Sequence, residues 1–255
     1  MKLRTKIFVL IGILCFSGVS YAQYALPTNF VSTDSNSVQN ELTKFSKHVA
    51  LHFSDIPGYV FSLTEGYPRV QFYYQHDYAQ TGGQNQYVDF TESGATSVGV
   101  FSALGDVTPN LQVILRYNPM RLSGEAAVFN GYGMRYRAAA LTDTVSSFTL
   151  GVMLQKLSGP NIYGVKILDF SMQYGRYAGN YIYLADITGS FISGELPIEK
   201  LISQQFDGTY EKRVIHFGVG LLREWQHFNV GVKLRTTGKI WNGIVAIGWR
   251  LPSRN

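Results

Sequence analysis

The chain contains 255 residues, of which 15% are charged and 14% are aromatic, and its formal net charge is +5. A typical soluble domain is about 25% charged, so the composition excludes an ordinary soluble enzyme, and the many aromatic residues exclude a disordered chain. Beyond the N-terminus no apolar run approaches the ~18 residues of a spanning helix, which excludes a helical membrane protein.

Residues 1–22 have the features of an export signal peptide. A basic start precedes an apolar run over 7–16, and the small residues Ser20 and Ala22 predict cleavage after Ala22. An uncleaved anchor is the alternative interpretation. The only cysteine, Cys15, lies inside the apolar run, so we predict a mature chain without a disulfide or a reactive thiol.

Residues 23–67 are predicted to form a separate N-terminal segment that is partly helical. Its apolar residues recur at helical spacing. They are Val38, Leu42, Phe45, Val49 and Phe53. An alternating strand through Val49, Leu51 and Phe53 is the other interpretation. Inside a barrel this segment would be a plug, whereas in the periplasm it would leave a pore, and both placements remain open at this point.

From residue 68 onward, apolar residues recur at every second position, which is the period of a β-strand with two different faces. In one run Phe228, Val230 and Val232 alternate with Asn229 and Gly231. We predict about twelve strands, or ten if 84–91 and 120–129 do not span, or fourteen if 47–64 adds a hairpin. The candidates are 68–78, 84–91, 96–104, 109–118, 120–129, 131–140, 146–157, 162–176, 181–193, 209–221, 227–236 and 240–251.

The two faces of these strands favour a membrane barrel over a soluble β-sandwich or a lipocalin-like barrel. The polar face is rich in Gly, Ser, Asn and Gln, and it lacks the dense Lys and Glu of a solvated surface. Tyr and Trp lie near strand ends, as in the aromatic girdle of a bilayer interface. We therefore predict an all-β, antiparallel, up-and-down transmembrane β-barrel over 68–255.

One predicted hairpin joins 168–176 to 179–187. Setting Tyr174 opposite Tyr181 makes every outward pair apolar, and it also places Asp169 opposite Asp186, both facing inward. Loop 194–208 then lies at the outer end of the barrel and the turn 177–180 at the inner end. Paired carboxylates can perform acid–base chemistry, although neutralisation by an arginine is the commoner arrangement.

These features resemble those of bacterial outer-membrane β-barrels as a general class. The resemblance covers the signal peptide and roughly 68–251, and it rests on alternation, girdle tyrosines and an aromatic final strand that ends at Trp249. It implies residence in the cell outer membrane, with outer-membrane lipid as a partner. The four residues after Leu251 depart from the usual terminal aromatic residue of the class.

The inward face is predicted to be weakly basic. The candidate lumen and selectivity residues are Arg116, Arg135, Arg137, Asp169, Asp186, Lys233 and Arg235. Such a lumen would attract anions. Mutual pairing of the same charges, which would only brace the wall, is the alternative. No Lys/Arg run with interleaved aromatic residues supports nucleic-acid binding.

Catalysis, metals and cofactors receive little support from the sequence. His48 and His52 have the spacing of helical metal ligands, but the glutamate of the zinc-protease motif is absent. His216 and His227 are predicted to face inward on neighbouring strands, but neither has a serine two residues later, which would supply a nucleophile pair. We therefore predict no enzyme activity and no cofactor.

Two functions remain. The first is a passive, weakly anion-selective channel for small solutes, for which anions are candidates. The second is a plugged, non-channel barrel with a structural, adhesive or envelope-interaction role. A third function, with less support from the sequence, is that of a lipid-modifying enzyme at the lumen or the rim.

Overall fold

The structure is a computed structural model, and it describes the barrel strands and a few residues before them. The described residues are 23–24, 43, 47, 50, 51, 53, 54, 70–80, 95–122, 125–138, 145–158, 165–195, 209–225, 228–238 and 241–251. The predicted signal peptide 1–22 lies outside them, and so do the candidate strand 84–91 and the histidines His48, His52 and His227. The division into 1–22, 23–67 and 68–255 therefore stays a prediction.

Eleven β-strands form a single sheet. They are β1 (Gln23–Tyr24), β2 (Val70–Gln80), β3 (Ala95–Thr108), β4 (Leu111–Leu122), β5 (Glu125–Arg137), β6 (Ser146–Ser158), β7 (Lys166–Ala178), β8 (Tyr181–Glu195), β9 (Thr209–Glu224), β10 (Phe228–Thr236) and β11 (Trp241–Arg250).

Strands β2 to β11 form a closed ring in which each strand is antiparallel to its sequence neighbour. The ring closes where β11 pairs with β2, from Trp241 opposite Gln80 to Arg250 opposite Gln71. Closure leaves no unpaired edge, which is the condition a sheet must meet to span a bilayer. The predicted class, an all-β antiparallel up-and-down barrel, is confirmed.

The period-two pattern divides the barrel into an inner and an outer face. On β10, Asn229, Gly231, Lys233 and Arg235 are buried, whereas Val232, between two of them, is 53% exposed. The same division holds on the other described strands, and large apolar side chains cover the outside. A continuous apolar exterior of this size has no stable place in water but suits hydrocarbon.

Residues 70 and 251 lie at the same end of the barrel, here called the terminal end. The tight turn at 109–110 and the turn at Gly179 lie at this end as well, whereas the long connections 81–94 and 196–208 lie at the other end, here called the distal end. In barrels of this type short turns face the periplasm and long loops face outward. The placement of loop 194–208 and turn 177–180 at opposite ends agrees with the prediction.

The barrel has ten strands rather than the twelve expected. The candidate 120–129 is not a strand of its own, because β4 continues to Leu122 and β5 already begins at Glu125. Its residues therefore straddle the connection at 123–124 between two longer strands.

The predicted register of the β7–β8 hairpin is wrong. Tyr174 lies opposite Ala185, and the strands join through Gly179 and Asn180 rather than around Tyr177. Gly179 has a φ of 61°, which glycine adopts without strain, and Gly–Asn suits a two-residue hairpin turn. The slip keeps every side chain on its predicted face, because it moves the pairing by an even number of residues.

The N-terminal segment is helical at its described residues between 43 and 53, whereas Gln23 and Tyr24 form the short strand β1. Residues 43, 47, 50, 51 and 53 have helical conformation, and the Ser54 amide donates to the Ala50 carbonyl oxygen at 2.9 Å. The strand alternative over 49–53 is thus excluded for residues 50, 51 and 53. The described part of the chain contains no helix long and apolar enough to cross a membrane.

The outward placement of Phe170 gives a direct test of the barrel's orientation in lipid. Phe170 lies near the middle of β7, is 50% exposed and packs edge-on against Phe191. We expect Phe170→Arg to lower the free energy of unfolding by about 2–4 kcal/mol, because a charge at this depth must leave water. Urea titration of the refolded protein in lipid vesicles measures the change.

Ala178→Arg is the matched control, since Ala178 is exposed on the same strand at the terminal end. It should cost at most about 1 kcal/mol, as expected near the interface. Equal costs for the two variants would contradict the assignment of the outer face to lipid.

Candidate functional site

One group of polar side chains in the barrel interior forms a layer between its middle and the distal end. Arg116, Gln155, Asp169, His216 and Arg235 come from five different strands, and each is at most 4% exposed. They face inward because each occupies the inner parity of its strand. Charged groups this deeply buried must find partners inside the barrel.

Two of the layer's arginines bind the N-terminal segment. Arg235 donates from Nη1 to the Leu51 carbonyl oxygen at 2.7 Å, and Arg116 donates from Nη1 to the Phe53 carbonyl oxygen. Gln155 donates from Nε2 to that same Phe53 oxygen at 2.5 Å. These carbonyls lie in the last helical turn, whose oxygens lack partners within the helix and carry partial negative charge.

Apolar contacts fix the same segment. The rings of Phe53 and Phe129 are stacked with centroids 4.4 Å apart and planes within 5° of parallel. Ala50 and Leu51 are fully buried. Residues 50, 51, 53 and 54 therefore lie inside the barrel, which they contact through both backbone and side chains.

Asp169 also belongs to this layer. Its Oδ2 accepts a hydrogen bond from Gln155 Nε2 at 2.9 Å, and the side chains of Ser54 and Ser190 lie beside the carboxylate. Arg116 is among the charges that act on it. The carboxylate is thus held by wall residues and by the N-terminal segment together.

The predicted Asp169–Asp186 pair does not form. Asp169 lies opposite Ser190, and Asp186 lies opposite Gln173, because the hairpin turn is at Gly179. Asp186 instead pairs with Lys233, Oδ2 to Nζ at 2.7 Å, with both side chains almost completely buried. The two carboxylates therefore do not face each other, and each has its own partners.

Gly218 provides the space for the Asp186–Lys233 ion pair. A Cβ at this position would come within 2.5 Å of Asp186 Oδ2 and 2.7 Å of Lys233 Cε. Any larger residue would have to displace one member of the pair. The packing of the ion pair therefore explains why a glycine occupies the middle of β9.

The remaining predicted lumen residues form hydrogen bonds within the wall near the terminal end. Arg135 donates from Nη2 to Gln112 Oε1 at 2.7 Å, and Gln112 donates onward to Asp106 Oδ1 at 2.7 Å. Arg137 donates from Nε to Asn110 Oδ1 at 3.0 Å. Arg135 is buried and Arg137 is half-buried, and Arg116 lies with the N-terminal segment rather than in one patch with them.

The structure contains a contact between a serine and a histidine that the sequence pattern did not predict. Ser190 Oγ and His216 Nε2 are 3.1 Å apart on the adjacent strands β8 and β9. The sequence has no serine two residues after the histidine. The observed contact instead joins two neighbouring strands, so it follows from the strand register and not from spacing along the chain. Arg235 lies against His216 Nδ1, where a hydrolase places a carboxylate. With a cation there the histidine is a poor general base.

Toward the terminal end, apolar side chains lie among buried polar ones such as Gln71, Gln112 and Arg135. Eight buried side chains form one cluster: Tyr73, Leu104, Ile114, Met153, Ile182, Leu184, Leu222 and Ala246. Tyr73 also donates its hydroxyl to Gln71 Oε1 at 3.0 Å and accepts from Asn229 Nδ2 at 3.2 Å. Among the described residues no group of three or more His, Cys, Asp or Glu side chains could hold a metal ion.

Comparisons with known proteins agree with the fold. No family model and no curated protein matches the chain. Among solved structures, the KdgM porin in complex with disordered oligogalacturonate is similar over 72% of this chain and 99% of its own, with 10% identity and a TM-score of 0.37. The attachment invasion locus protein Ail of Yersinia pestis is similar over 72% and 97%, with 10% identity and a TM-score of 0.22.

A third similar structure is a loop-deletion mutant of OmpT, an outer membrane protein of Vibrio cholerae, with 9% identity and a TM-score of 0.35. The match covers 64% of this chain and 56% of OmpT, so this chain spans only about half of that protein. The closed ring and its apolar exterior define the class in their own right. The chain has the fold of a bacterial outer-membrane β-barrel.

The buried ion pair gives a prediction about stability. We expect Lys233→Met to lower the free energy of unfolding by about 3–5 kcal/mol, because Asp186 would remain buried without its counterion. Adding Asp186→Leu to this variant should recover much of the loss, since two apolar groups need no counterion. Urea unfolding in vesicles of the unmodified chain, Lys233→Met, Asp186→Leu and the double variant, analysed as a double-mutant cycle, measures the coupling. Additive losses would show that the two charges do not interact.

Proposed function

We propose that this barrel is closed to small solutes and that its role is structural, adhesive or in envelope interaction. The observation that carries the proposal is the set of hydrogen bonds from Arg116, Gln155 and Arg235 to the carbonyls of Leu51 and Phe53. The passage is occupied at the level where the lumen charges would otherwise face water.

The apolar cluster around Tyr73 and Leu104 supports the same proposal. Water and ions cross an apolar constriction poorly, because they lose hydration there without gaining polar partners. An open pore would need both obstacles to move. The described part of the N-terminal segment is held by a small number of strong contacts. The cluster, in contrast, consists of side chains of the barrel wall itself.

Conductance of the full mature chain in a planar bilayer tests the proposal. We expect no stable channel at any applied voltage, because the segment stays bound to the wall. Steady single-channel currents from the unmodified chain would contradict the proposal and favour passive diffusion.

The second candidate is an anion-selective channel that opens when the segment leaves. It is favoured by an excess of inward cations among the residues whose side chains the structure describes, seven against four carboxylates. The cations are Arg116, Arg135, Arg137, Lys212, Lys233, Arg235 and Arg250, and the carboxylates are Asp106, Asp169, Asp186 and Glu224. Such an excess concentrates anions, more strongly at low salt.

Releasing the segment separates the two candidates. Arg116→Met combined with Arg235→Met removes two donors from the Leu51 and Phe53 carbonyls, each worth about 1–3 kcal/mol when its acceptor stays buried. If the barrel is a gated channel, this double variant, or deletion of residues 23–67, should produce currents whose reversal potential in a salt gradient indicates anion preference.

Gln112→Leu is the matched control for the double variant. Gln112 is fully buried on the inner face and hydrogen-bonds to the wall residues Asp106 and Arg135. The Gln112→Leu variant should produce no current across the bilayer. Absence of current from both the double variant and the deletion would exclude the channel. If currents appear but their anion preference is unaffected by Arg135→Ala plus Arg137→Ala, those two arginines only brace the wall.

A further inference from the structure

The outside of the barrel has an apolar band with cations at both of its borders. On β7 the outward residues from Leu168 to Tyr174 are apolar or aromatic, with Lys166 on the distal side and Arg176 on the terminal side. On β9 the outward residues between Arg213 and Arg223 are apolar too.

The spacing of these cations matches the thickness of a bilayer's apolar core. Ten positions separate Lys166 from Arg176, and ten separate Arg213 from Arg223. At about 3.4 Å per residue and a strand tilt of about 40°, ten positions span roughly 26 Å along the membrane normal. Outer-membrane barrels have an apolar band of about 25 Å, so these side chains mark the two headgroup levels.

At the distal level two lysines lie directly opposite each other. Lys156 on β6 is the register partner of Lys166 on β7, and both are exposed on the outer face. Directly opposite side chains have Cβ atoms about 4.5–5.5 Å apart, where like charges repel each other. An anion between the two ammonium groups would remove this repulsion.

Among the neighbouring residues whose side chains the structure describes, none places an anion beside the pair. Across the sheet, the neighbours of the pair are Asn130 on one side and Ser193 on the other. The nearest described outward carboxylate in this row is Glu211, two strands and therefore roughly 10 Å from Lys166. The connection 159–164, which joins the two strands, contains no acidic residue.

A third cation, on β9, faces the same headgroup level as the lysine pair. Arg213 is exposed on the outer face, and its guanidinium lies 5.4 Å from the centroid of the Phe191 ring, which holds it against the barrel wall. Phe191 itself is opposite Leu168, two positions from Lys166 on β7. Three cations therefore face the same headgroup level on β6, β7 and β9.

At the terminal level the cations are engaged differently. Arg223 lies between two aromatic rings, 4.8 Å from the Trp225 centroid and 5.5 Å from the Tyr181 centroid. Arg176 has Ser146 and Tyr183 as its register partners, so no second cation lies opposite it. The unneutralised pair is a feature of the distal level.

We propose that Lys156 and Lys166 form a binding site for a phosphate-bearing lipid headgroup in the leaflet at the distal end. A phosphate oxyanion accepts charge-assisted hydrogen bonds from both ammonium groups at once and removes their repulsion. The acyl chains of the same lipid lie along the apolar band below the cations. A free anion has no such second contact, which is why a lipid is the occupant we infer.

Native mass spectrometry of the full mature chain released from detergent tests this site. The protein is incubated with phosphatidylglycerol or with phosphatidylcholine, and bound lipid is counted. We expect retention of phosphatidylglycerol by the unmodified chain and about a tenfold loss of retention in Lys156→Gln plus Lys166→Gln. Phosphatidylcholine should be retained weakly by both, because its headgroup carries its own cation.

The matched control removes the same number of outward charges at the terminal level, in Arg176→Gln plus Arg223→Gln. It should retain phosphatidylglycerol at no less than half the level of the unmodified chain. Equal losses in the two double variants would overturn the site in favour of general attraction between charges. Displacement of the lipid by millimolar inorganic phosphate would overturn the inference that the occupant is a lipid. Since all four side chains are exposed, near-ultraviolet circular dichroism should confirm that both variants fold.

Discussion

The pairing of β11 with β2 is the constraint on which the rest of the molecule depends. A sheet in hydrocarbon must satisfy every backbone donor and acceptor internally, and only closure achieves this. The ladder from Trp241 opposite Gln80 to Arg250 opposite Gln71 supplies that closure. Once the ring is closed, each residue's position along its strand decides whether its side chain meets lipid or the interior.

Closure with ten strands also limits what the interior can hold. Eight-stranded barrels are filled by side chains, whereas barrels of 16–18 strands leave an aqueous channel. This barrel lies nearer the narrow limit, and its interior has an apolar cluster toward the terminal end and a polar layer above it. The buried arginines of that layer need acceptors, and the last turn of a helix offers carbonyl oxygens that lack partners of their own.

The sequence predicted those properties that depend on parity. The facing of Arg116, Asp169, Lys233 and Arg235 follows from alternation alone, and so does the apolar exterior around Phe170. An error of an even number of residues leaves facing unchanged, so the β7–β8 hairpin could have the wrong register and still the right faces. The Gly179–Asn180 pair was the available signal for the true turn.

Contacts between strands could not be predicted in this way. The ion pair of Asp186 with Lys233 joins β8 to β10 across Gly218, and the contact of Ser190 with His216 depends on register. The hydrogen bonds to Leu51 and Phe53 join residues far apart in the chain, between a helix and three strands. No local pattern carries this information, because the partner is chosen by closure of the whole ring.

Thiol cross-linking between the N-terminal segment and the wall tests the central claim most directly. The predicted mature chain has no cysteine of its own, so Phe53→Cys with Phe129→Cys places the only two thiols where the stacked rings now lie. In outer membranes, a short bifunctional thiol reagent should link them in high yield, whereas Phe53→Cys with Asn130→Cys, whose second thiol faces outward, should remain unlinked. Absence of the Phe53–Phe129 link, or equal yields from both pairs, would contradict a segment held inside the barrel.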